Sequence, residues 1–214
     1  MMIRFALPPR DQITPNNEKD PLPFYYKRST GWLYRHRLQM GLDLLPAGGQ
    51  SILEVGVGSG ILVPTLTSHY RRYTGTDLVL AANLQRLVSA GCDASFVSAD
   101  LLDPSTLPAN AFDAIVCFSV LEHIADSEGA ARSLAHALAP GGTLVTGYPM
   151  VSALMTKAFD VIGYKNIDDD HVAPPAQIAA ALSKVLQPQA RVAFPPFATV
   201  TTALYQCASW RKRS

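Results

Sequence analysis

The stretch LEVGVGSGI, residues 53–61, decides the fold of this chain. It begins as an apolar run that contains one acid, Glu54, and continues with glycines at every second position, Gly56, Gly58 and Gly60. Glycines let the backbone turn tightly and approach a ligand, and a following helix presents free N–H groups at its N-terminus. The pattern predicts a strand, a glycine turn and a helix that together form a ligand cradle.

Two classes of ligand compete for this turn. Nicotinamide and flavin folds use GxGxxG with the pyrophosphate over the helix start, but the third glycine position of that motif is Ile61 here. The acid at Glu54 would repel a pyrophosphate, whereas it suits a ligand that carries an ammonium or sulfonium group. A packing turn with an incidental acid is the alternative interpretation.

The composition narrows the class of protein. The 214 residues are 48% hydrophobic with a net charge of +1, which predicts a globular chain and no nucleic-acid partner. Three separated cysteines without a CxxC pair argue against a zinc site or a disulfide framework and favour the cytoplasm. No secretory signal and no run of about 18 apolar residues is visible, so no transmembrane segment is predicted.

Short apolar strands alternate with helical patterns along most of the chain. Strands are predicted at 51–55, 72–76, 94–98, 112–118 and 143–148, and helices from Thr30, from the glycine turn to Tyr70, at 79–90 and at 127–139. This alternation predicts parallel pairing and an α/β sandwich. The proline-rich start, residues 1–28, is predicted to be an arm, and residues 29–214 a single domain.

The last third of the sequence has a different pattern. Helices are predicted at 151–162 and 175–186, and two strands at 191–194 and 200–210 that are close enough in sequence to pair antiparallel. The helix at 151–162 has a continuous apolar face, which either packs on the sheet or closes over a hydrophobic acceptor. Residues 150–175 are therefore a candidate lid.

Acids stand at the ends of three successive strands, at Glu54, Asp77 and Asp100. Each aspartate alone is also typical of a helix cap or a turn. In open α/β sheets, however, ligands bind in the crevice at the carboxyl ends of the strands, where these three acids converge. An acid at Asp77 can accept two hydrogen bonds from ribose hydroxyls, which favours a nucleoside ligand.

Five segments together resemble class I S-adenosylmethionine-dependent methyltransferases, closest to the small-molecule branch of the ubiquinone and menaquinone biosynthesis enzymes. In chain order they are ILEVGVGSGI, YTGTDL, FVSADL, FDAIVCFSVLEHI and LAPGGTLVTGYP, within about residues 30–150. The resemblance implies a Rossmann-like three-layer sandwich whose seven-stranded, mostly parallel sheet has an antiparallel strand 7. It also implies S-adenosyl-L-methionine as cofactor and S-adenosyl-L-homocysteine as product.

The resemblance further implies a role for each motif residue. Around the methionine part of the cofactor it places Glu54, Gly56, Gly58 and Gly60. It assigns the ribose to Asp77, the adenine face to Leu78, the adenine amino group to Asp100 and Leu101, and the methionine amine to Phe118 and Ser119. His123 is expected at the rim of the site.

The acceptor is expected to be a small or lipid-like molecule. After strand 4 the sequence reads CFSVLEH. It lacks the Asn/Asp-Pro-Pro-Tyr/Phe signature of enzymes that methylate nucleobase amino groups or glutamine, and it lacks the Pro-Cys nucleophile of cytosine C5 methylation. O-methylation is favoured over C- or N-methylation. The alternative is a catalytically inactive protein of the same fold that binds or regulates.

A hydroxyl acceptor needs a proton acceptor, and two histidines in loops are candidates, His171 and His123. His171 is favoured because the aspartates at 168–170 precede it and would raise its pKa. These acids could also bind a divalent metal or be solvated loop residues. No metal is predicted.

Overall fold

The computed structural model describes residues 2–18, 20–150, 172–199 and 202–213, which form one twisted sheet between helices. The strands are β1 (Gly49–Val55), β2 (Tyr70–Asp77), β3 (Asp93–Ser98), β4 (Phe112–Phe118), β5 (Leu138–Pro149), β6 (Gln187–Phe194) and β7 (Tyr205–Arg211). The helices are α1 (Leu22–Tyr26), α2 (Gly31–Leu42), α3 (Val63–Thr67), α4 (Ser127–Ala137) and α5 (Pro175–Val185).

The seven strands lie in the order β3-β2-β1-β4-β5-β7-β6. Strands β1 to β5 pair in parallel, and β7 runs antiparallel to both β5 and β6. The mostly parallel sheet with an antiparallel last strand is therefore confirmed. The strand order reverses between β1 and β4, so the crevice at the carboxyl ends of these two strands is the topological switch point where ligands bind in such sheets.

Alternate strand residues pack on opposite faces of the sheet, as the two-residue period of a strand requires. Ile52, Val116 and Val145 belong to the core shared with α1, α2 and α3. Leu53 and Ile115 belong to the core shared with α4 and α5. The central strands are buried on both faces, which explains why they are nearly continuous apolar runs and confirms the three-layer sandwich.

Several helices are shorter than the sequence predicts. The helix expected at 79–90 is reduced to one 3-10 turn, Leu84–Leu87. Leu84 and Leu87 are both buried against Gly60, and their spacing of three matches the period of a 3-10 turn rather than a longer α-helix. The helix expected to reach Tyr70 ends at Thr67, because Tyr70 already pairs with β1.

The first long helix and the fourth also differ in detail. In α2, Tyr34 and Met40 are buried, whereas Trp32 is 54% exposed. The helix predicted at 127–139 ends at Ala137, and β5 begins at Leu138.

The predicted arm packs against the helices on one face of the sheet. Ile3 and Ile13 are buried. The backbone N–H of Phe5 donates to Gln39 on α2 at 2.8 Å, and that of Ala6 to Thr65 on α3 at 3.0 Å. The boundary at residue 28 stays a prediction.

The helix predicted at 151–162 and most of the candidate lid, residues 150–175, lie outside the described residues. Within the described parts of the chain, no helix has both the length and the apolar character needed to cross a membrane.

Candidate functional site

The glycine turn after β1 is attached to the end of β2. The backbone N–H groups of Gly56 and Val57 donate to the carbonyl of Thr76 at 2.8 and 3.0 Å. Gly56, Gly58 and Gly60 all have positive φ angles, of 78°, 51° and 87°. Side chains rarely adopt this backbone conformation, which explains the glycine at each position.

The three glycines differ in what surrounds them. A Cβ on Gly56 would overlap a methyl group of Val120, and a Cβ on Gly60 would lie 2.7 Å from Leu84 Cδ2. A Cβ on Gly58 would meet nothing within 4 Å. Gly56 and Gly60 thus allow close packing within the protein, whereas Gly58 faces open space that a ligand can use.

Asp77 lies beside this open position. Its Oδ2 accepts a hydrogen bond from the Gly58 N–H at 2.8 Å, and its Oδ1 accepts one from the Val79 N–H at 3.4 Å. Leu78 and Val79 follow with 68% and 61% of their surface exposed. The end of β2 therefore combines a carboxylate with an exposed apolar surface, the chemistry needed for a ribose and a flat base.

Asp100 and Leu101 follow the neighbouring strand β3. Asp100 is exposed, and its Oδ1 accepts from the Leu102 N–H at 2.9 Å. Leu101 is buried in the core, whereas Leu102 is 41% exposed. Their predicted contacts with an adenine stay a prediction, and Leu102 is the leucine whose side chain is accessible there.

Glu54 is buried and paired within the protein. It is 4% exposed, and its Oε2 accepts a hydrogen bond from the Tyr73 hydroxyl at 2.6 Å. Burial raises the pKa of Glu54 to about 8, so the carboxyl is mostly protonated at neutral pH. In this structure Glu54 links β1 to β2, a role for which neither residue alone gives a sequence signal.

The turn after β4 has a strained backbone. Ser119 has a φ of 56°, a conformation that is uncommon for residues other than glycine. Its N–H donates to the carbonyl of Gly147 at 2.7 Å, and its hydroxyl lies 3.2 Å from that of Tyr205. The ring of Phe118 lies over Gly41 of α2 and Gly147 of β5, where a Cβ would overlap it. The turn is therefore fixed by contacts with α2 and with strands β5 and β7.

Arg37 on α2 is a residue that the sequence analysis missed. Its guanidinium lies 4.6 Å from the ring centre of Tyr34 and 5.5 Å from those of Tyr25 and Tyr205. Nη2 donates to the Tyr25 hydroxyl at 2.8 Å, but the buried Nε has no partner among the described residues. A caged cation with a free N–H is suited to bind an anion.

Glu122 is a second residue that the sequence analysis missed. It is 2% exposed, and neither carboxylate oxygen has a hydrogen-bond partner among the described residues. Burial raises its pKa to about 8, and the positive charge of Arg37 opposes this rise. The Oε1 of Gln206 on β7 is likewise buried and without a partner there. In the sequence, its one signal is its position within a mostly apolar stretch, between Leu121 and Ile124.

The two histidine candidates are not equally described. His123 is exposed and ends the short turn Leu121–His123. His171 and the aspartates at 168–170 lie outside the described residues. Among the residues that are described, no group of three or more His, Cys, Asp and Glu side chains is arranged to hold a metal.

Comparison with known proteins first defines the class. Residues 53–146, which include the glycine turn, Asp77, Asp100 and the turn after β4, match a family model described as a methyltransferase domain. This part of the chain is therefore similar to methyltransferase domains, in agreement with the resemblance that the five sequence motifs indicated.

A ubiquinone biosynthesis O-methyltransferase of Xylella fastidiosa (strain 9a5c) is 30% identical over 153 residues. The match covers 63% of this chain and 61% of the relative, so the chain spans less than two thirds of that relative's length.

Two solved structures share the fold. The N-methyltransferase NodS from Bradyrhizobium japonicum WM9, in complex with S-adenosyl-L-homocysteine, has a TM-score of 0.62 at 21% identity, with 92% of this chain and 94% of NodS covered. The [4+2]-cyclase SpnF has a TM-score of 0.66 at 17% identity, with 93% of this chain and 86% of SpnF covered. At these identities the likeness shows the fold alone.

Proposed function

We propose that this chain is an S-adenosyl-L-methionine-dependent methyltransferase that methylates an oxygen of a small or lipid-like acceptor. The observation that carries the proposal is the open position at Gly58 beside the Asp77 carboxylate. It lies at the carboxyl ends of β1 and β2, next to the switch point of the sheet and within the segment that matches the methyltransferase-domain model.

We assign described residues to each part of the cofactor. Asp77 would accept hydrogen bonds from the ribose hydroxyls, and the exposed surface of Leu78 would pack on the adenine. The methionine part would occupy the space next to Gly58, with its carboxylate on the Nε–H of Arg37, which has no partner within the described parts of the chain. Asp100 is the proposed partner of the adenine amino group, with Leu101 beneath it. Phe118 and Ser119 would close the site near the methionine amine.

When bound, the cofactor supplies a methyl group that is already activated by a positively charged sulfur. The chain's own task is to bind and orient the two reactants and to exclude water. A hydroxyl acceptor must also lose a proton, for which His171 and His123 are the candidates from the sequence.

Two observations support oxygen as the acceptor atom and a small molecule as the acceptor. The relative in Xylella fastidiosa is named as an O-methyltransferase, although NodS, with the same fold, is an N-methyltransferase. The net charge of +1 gives no basis for binding a nucleic-acid backbone. The isolated cysteines support a cytoplasmic location.

Calorimetry tests the cofactor. S-adenosyl-L-homocysteine and S-adenosyl-L-methionine should bind, and NAD should not. If neither adenosyl compound binds to the protein, the proposal is refuted.

A second candidate is an inactive binding protein of the same fold. It is supported by the likeness to SpnF, a [4+2]-cyclase, because that protein shares the fold without being named a methyltransferase. The two candidates differ in turnover. A methyltransferase should release S-adenosyl-L-homocysteine from a panel of hydroxyl and amine acceptors, whereas a binding protein should bind the cofactor and release none.

A further inference from the structure

Glu122 lies next to the cradle, in the turn that follows the central strand β4. Val55 of β1 pairs with Cys117 of β4, so the segments after these two strands leave the sheet side by side. Val120 of this turn packs against Gly56, where even a Cβ would overlap it. Glu122 follows two residues later, so the acid stands at the switch point of the sheet.

The backbone of Glu122 is firmly held while its carboxyl is not. Its carbonyl accepts hydrogen bonds from the N–H groups of Val172 and Ala173 at 2.9 and 3.1 Å. Its two side-chain oxygens are buried without a hydrogen-bond partner among the described residues. Burial of an unpaired carboxyl costs free energy, so such a group requires an explanation beyond packing.

Glu54 provides the internal comparison. Both acids are buried at strand ends, and burial raises the pKa of each to about 8. Glu54 has a hydroxyl partner in Tyr73 and links two strands, as a structural acid should. Glu122 has no such partner among the described residues, so a bound ligand is one way to satisfy its buried carboxyl oxygens.

Four titratable groups from the surrounding elements act on Glu122 or feel its charge. They are Arg37 of α2, Cys117 of β4, Tyr148 of β5 and Tyr205 of β7. Burial raises the pKa of the thiol and of both phenols, so these three stay neutral near pH 7. Arg37 is the one cation among the four, and its guanidinium is held by the tyrosine cage. The positive charge of Arg37 favours the ionised form of Glu122 and so opposes the effect of burial on its pKa.

We infer that Glu122 is the group that takes the proton from the acceptor's hydroxyl, an inference that rests on the proposed function. The acceptor oxygen forms a bond to the methyl carbon as the carbon–sulfur bond breaks, and the electron pair of that bond stays on the sulfur. The proton of the hydroxyl passes to the Glu122 carboxylate and later to solvent. A base with a pKa near the working pH is suited to this transfer.

The test compares Glu122→Gln, which keeps the shape but cannot take the proton, with Glu122→Asp, which keeps the carboxyl. Glu128→Gln is the matched control, because Glu128 is exposed on α4 and pairs with Lys184. Methyl transfer to catechol, to phenol and to a panel of amines is measured as the release of S-adenosyl-L-homocysteine, at pH values from about 6 to about 9.

We expect the wild-type rate on a hydroxyl to rise with pH and level off above about pH 8. Glu122→Gln should lower kcat by about 10²–10⁴-fold with little change in KM. Its remaining rate should no longer rise with pH. Glu122→Asp should recover part of the rate, and Glu128→Gln should behave as wild type. If Glu122→Gln keeps the rise, or if His171→Ala or His123→Ala removes it instead, the inference is wrong.

A second readout does not depend on turnover. The infrared difference spectrum between the wild-type and Glu122→Gln complexes with S-adenosyl-L-homocysteine should contain the band of one carboxyl group that titrates near pH 8. Its absence overturns the inference. If the wild type does not bind S-adenosyl-L-homocysteine, the proposed function is wrong. If it binds this compound but methylates only amines, the role of Glu122 and the choice of oxygen are wrong, and the assignment as a methyltransferase stands.

Discussion

The carboxyl ends of β1, β2 and β4 and the start of the antiparallel strand β7 lie at the same end of the sheet, but their buried polar groups differ. At β1 and β2, Glu54 is paired with Tyr73, and Asp77 is paired with Gly58. At β4 and β7, Glu122 and the Oε1 of Gln206 are buried without a partner among the described residues.

The difference indicates how the two regions divide the work. The first region is satisfied by its own hydrogen bonds, so it can keep its shape without a ligand and serve as a rigid cradle. The second contains polar groups whose burial has a free-energy cost that only an additional partner would offset. The reacting chemistry should therefore depend on the second region and binding of the nucleoside on the first.

The largest effect on binding is expected at Arg37, on the border of the unpaired region. Arg37→Met removes the cation proposed for the cofactor carboxylate and should weaken binding of S-adenosyl-L-homocysteine by about 10²-fold, or about 3 kcal/mol. Calorimetry measures the change, and Arg35→Met, at an exposed position of the same helix, is the control. Equal affinities for the two variants would remove Arg37 from the site.

A smaller loss of affinity is expected at Gly58. Gly58→Ala places a Cβ in the proposed ligand space and should weaken binding of S-adenosyl-L-homocysteine by at least about tenfold, or about 1.4 kcal/mol. Gly91→Ala is a matched control, since Gly91 also has a positive φ, of 87°, and open space around its Cβ position. Both variants should lose about 1–2 kcal/mol of stability from backbone strain. A parallel loss of affinity in Gly91→Ala would mean that strain, not the cradle, is responsible.

Asp77→Asn tests the paired region with a change of a single charge. The amide oxygen can still accept from the Gly58 N–H, so the turn should keep its shape. The weaker hydrogen bonds to the ribose should reduce affinity for S-adenosyl-L-homocysteine by about tenfold. Asp93→Asn is the control and should have no effect, because Asp93 lies at the start of β3, at the end of the sheet opposite to the site. A fully retained affinity in Asp77→Asn would contradict the ribose role.

The last expected effect concerns stability rather than binding, and it is a change in how the free energy of unfolding depends on pH. The folded-state pKa of Glu54 is about 8, above the ordinary value of 4.5, so the folded protein holds a proton that the unfolded chain has lost. The stabilisation is complete below about pH 4.5 and is lost as the pH rises to about 8. Glu54→Gln should remove up to about 1.4 kcal/mol per pH unit of this slope. Denaturant unfolding at several pH values measures it, and an unchanged slope would show that Glu54 does not hold the proton.

Local sequence patterns predicted the framework well. Strand β4 has the predicted bounds, Phe112–Phe118, because a buried central strand is apolar along its whole length. The glycine turn was equally clear, since positive φ angles restrict the residue type at each position. The prediction of a helix at 79–90 was wrong because only Leu84 and Leu87 of this segment are fully buried, and a local pattern does not contain the packing that decides this.

The sequence by itself determined the class of fold, the glycine turn and the acids at the strand ends, since these depend on backbone conformation and on short-range periodicity. Only the tertiary structure decided which acids are paired. Tyr73 reaches Glu54 from the next strand, whereas Arg37 and Glu122 come from elements far apart in the chain. Burial and hydrogen-bond partners are properties of side chains brought together by packing, so the unpaired carboxyl of Glu122 becomes visible only once α2, β4, β5 and β7 are assembled.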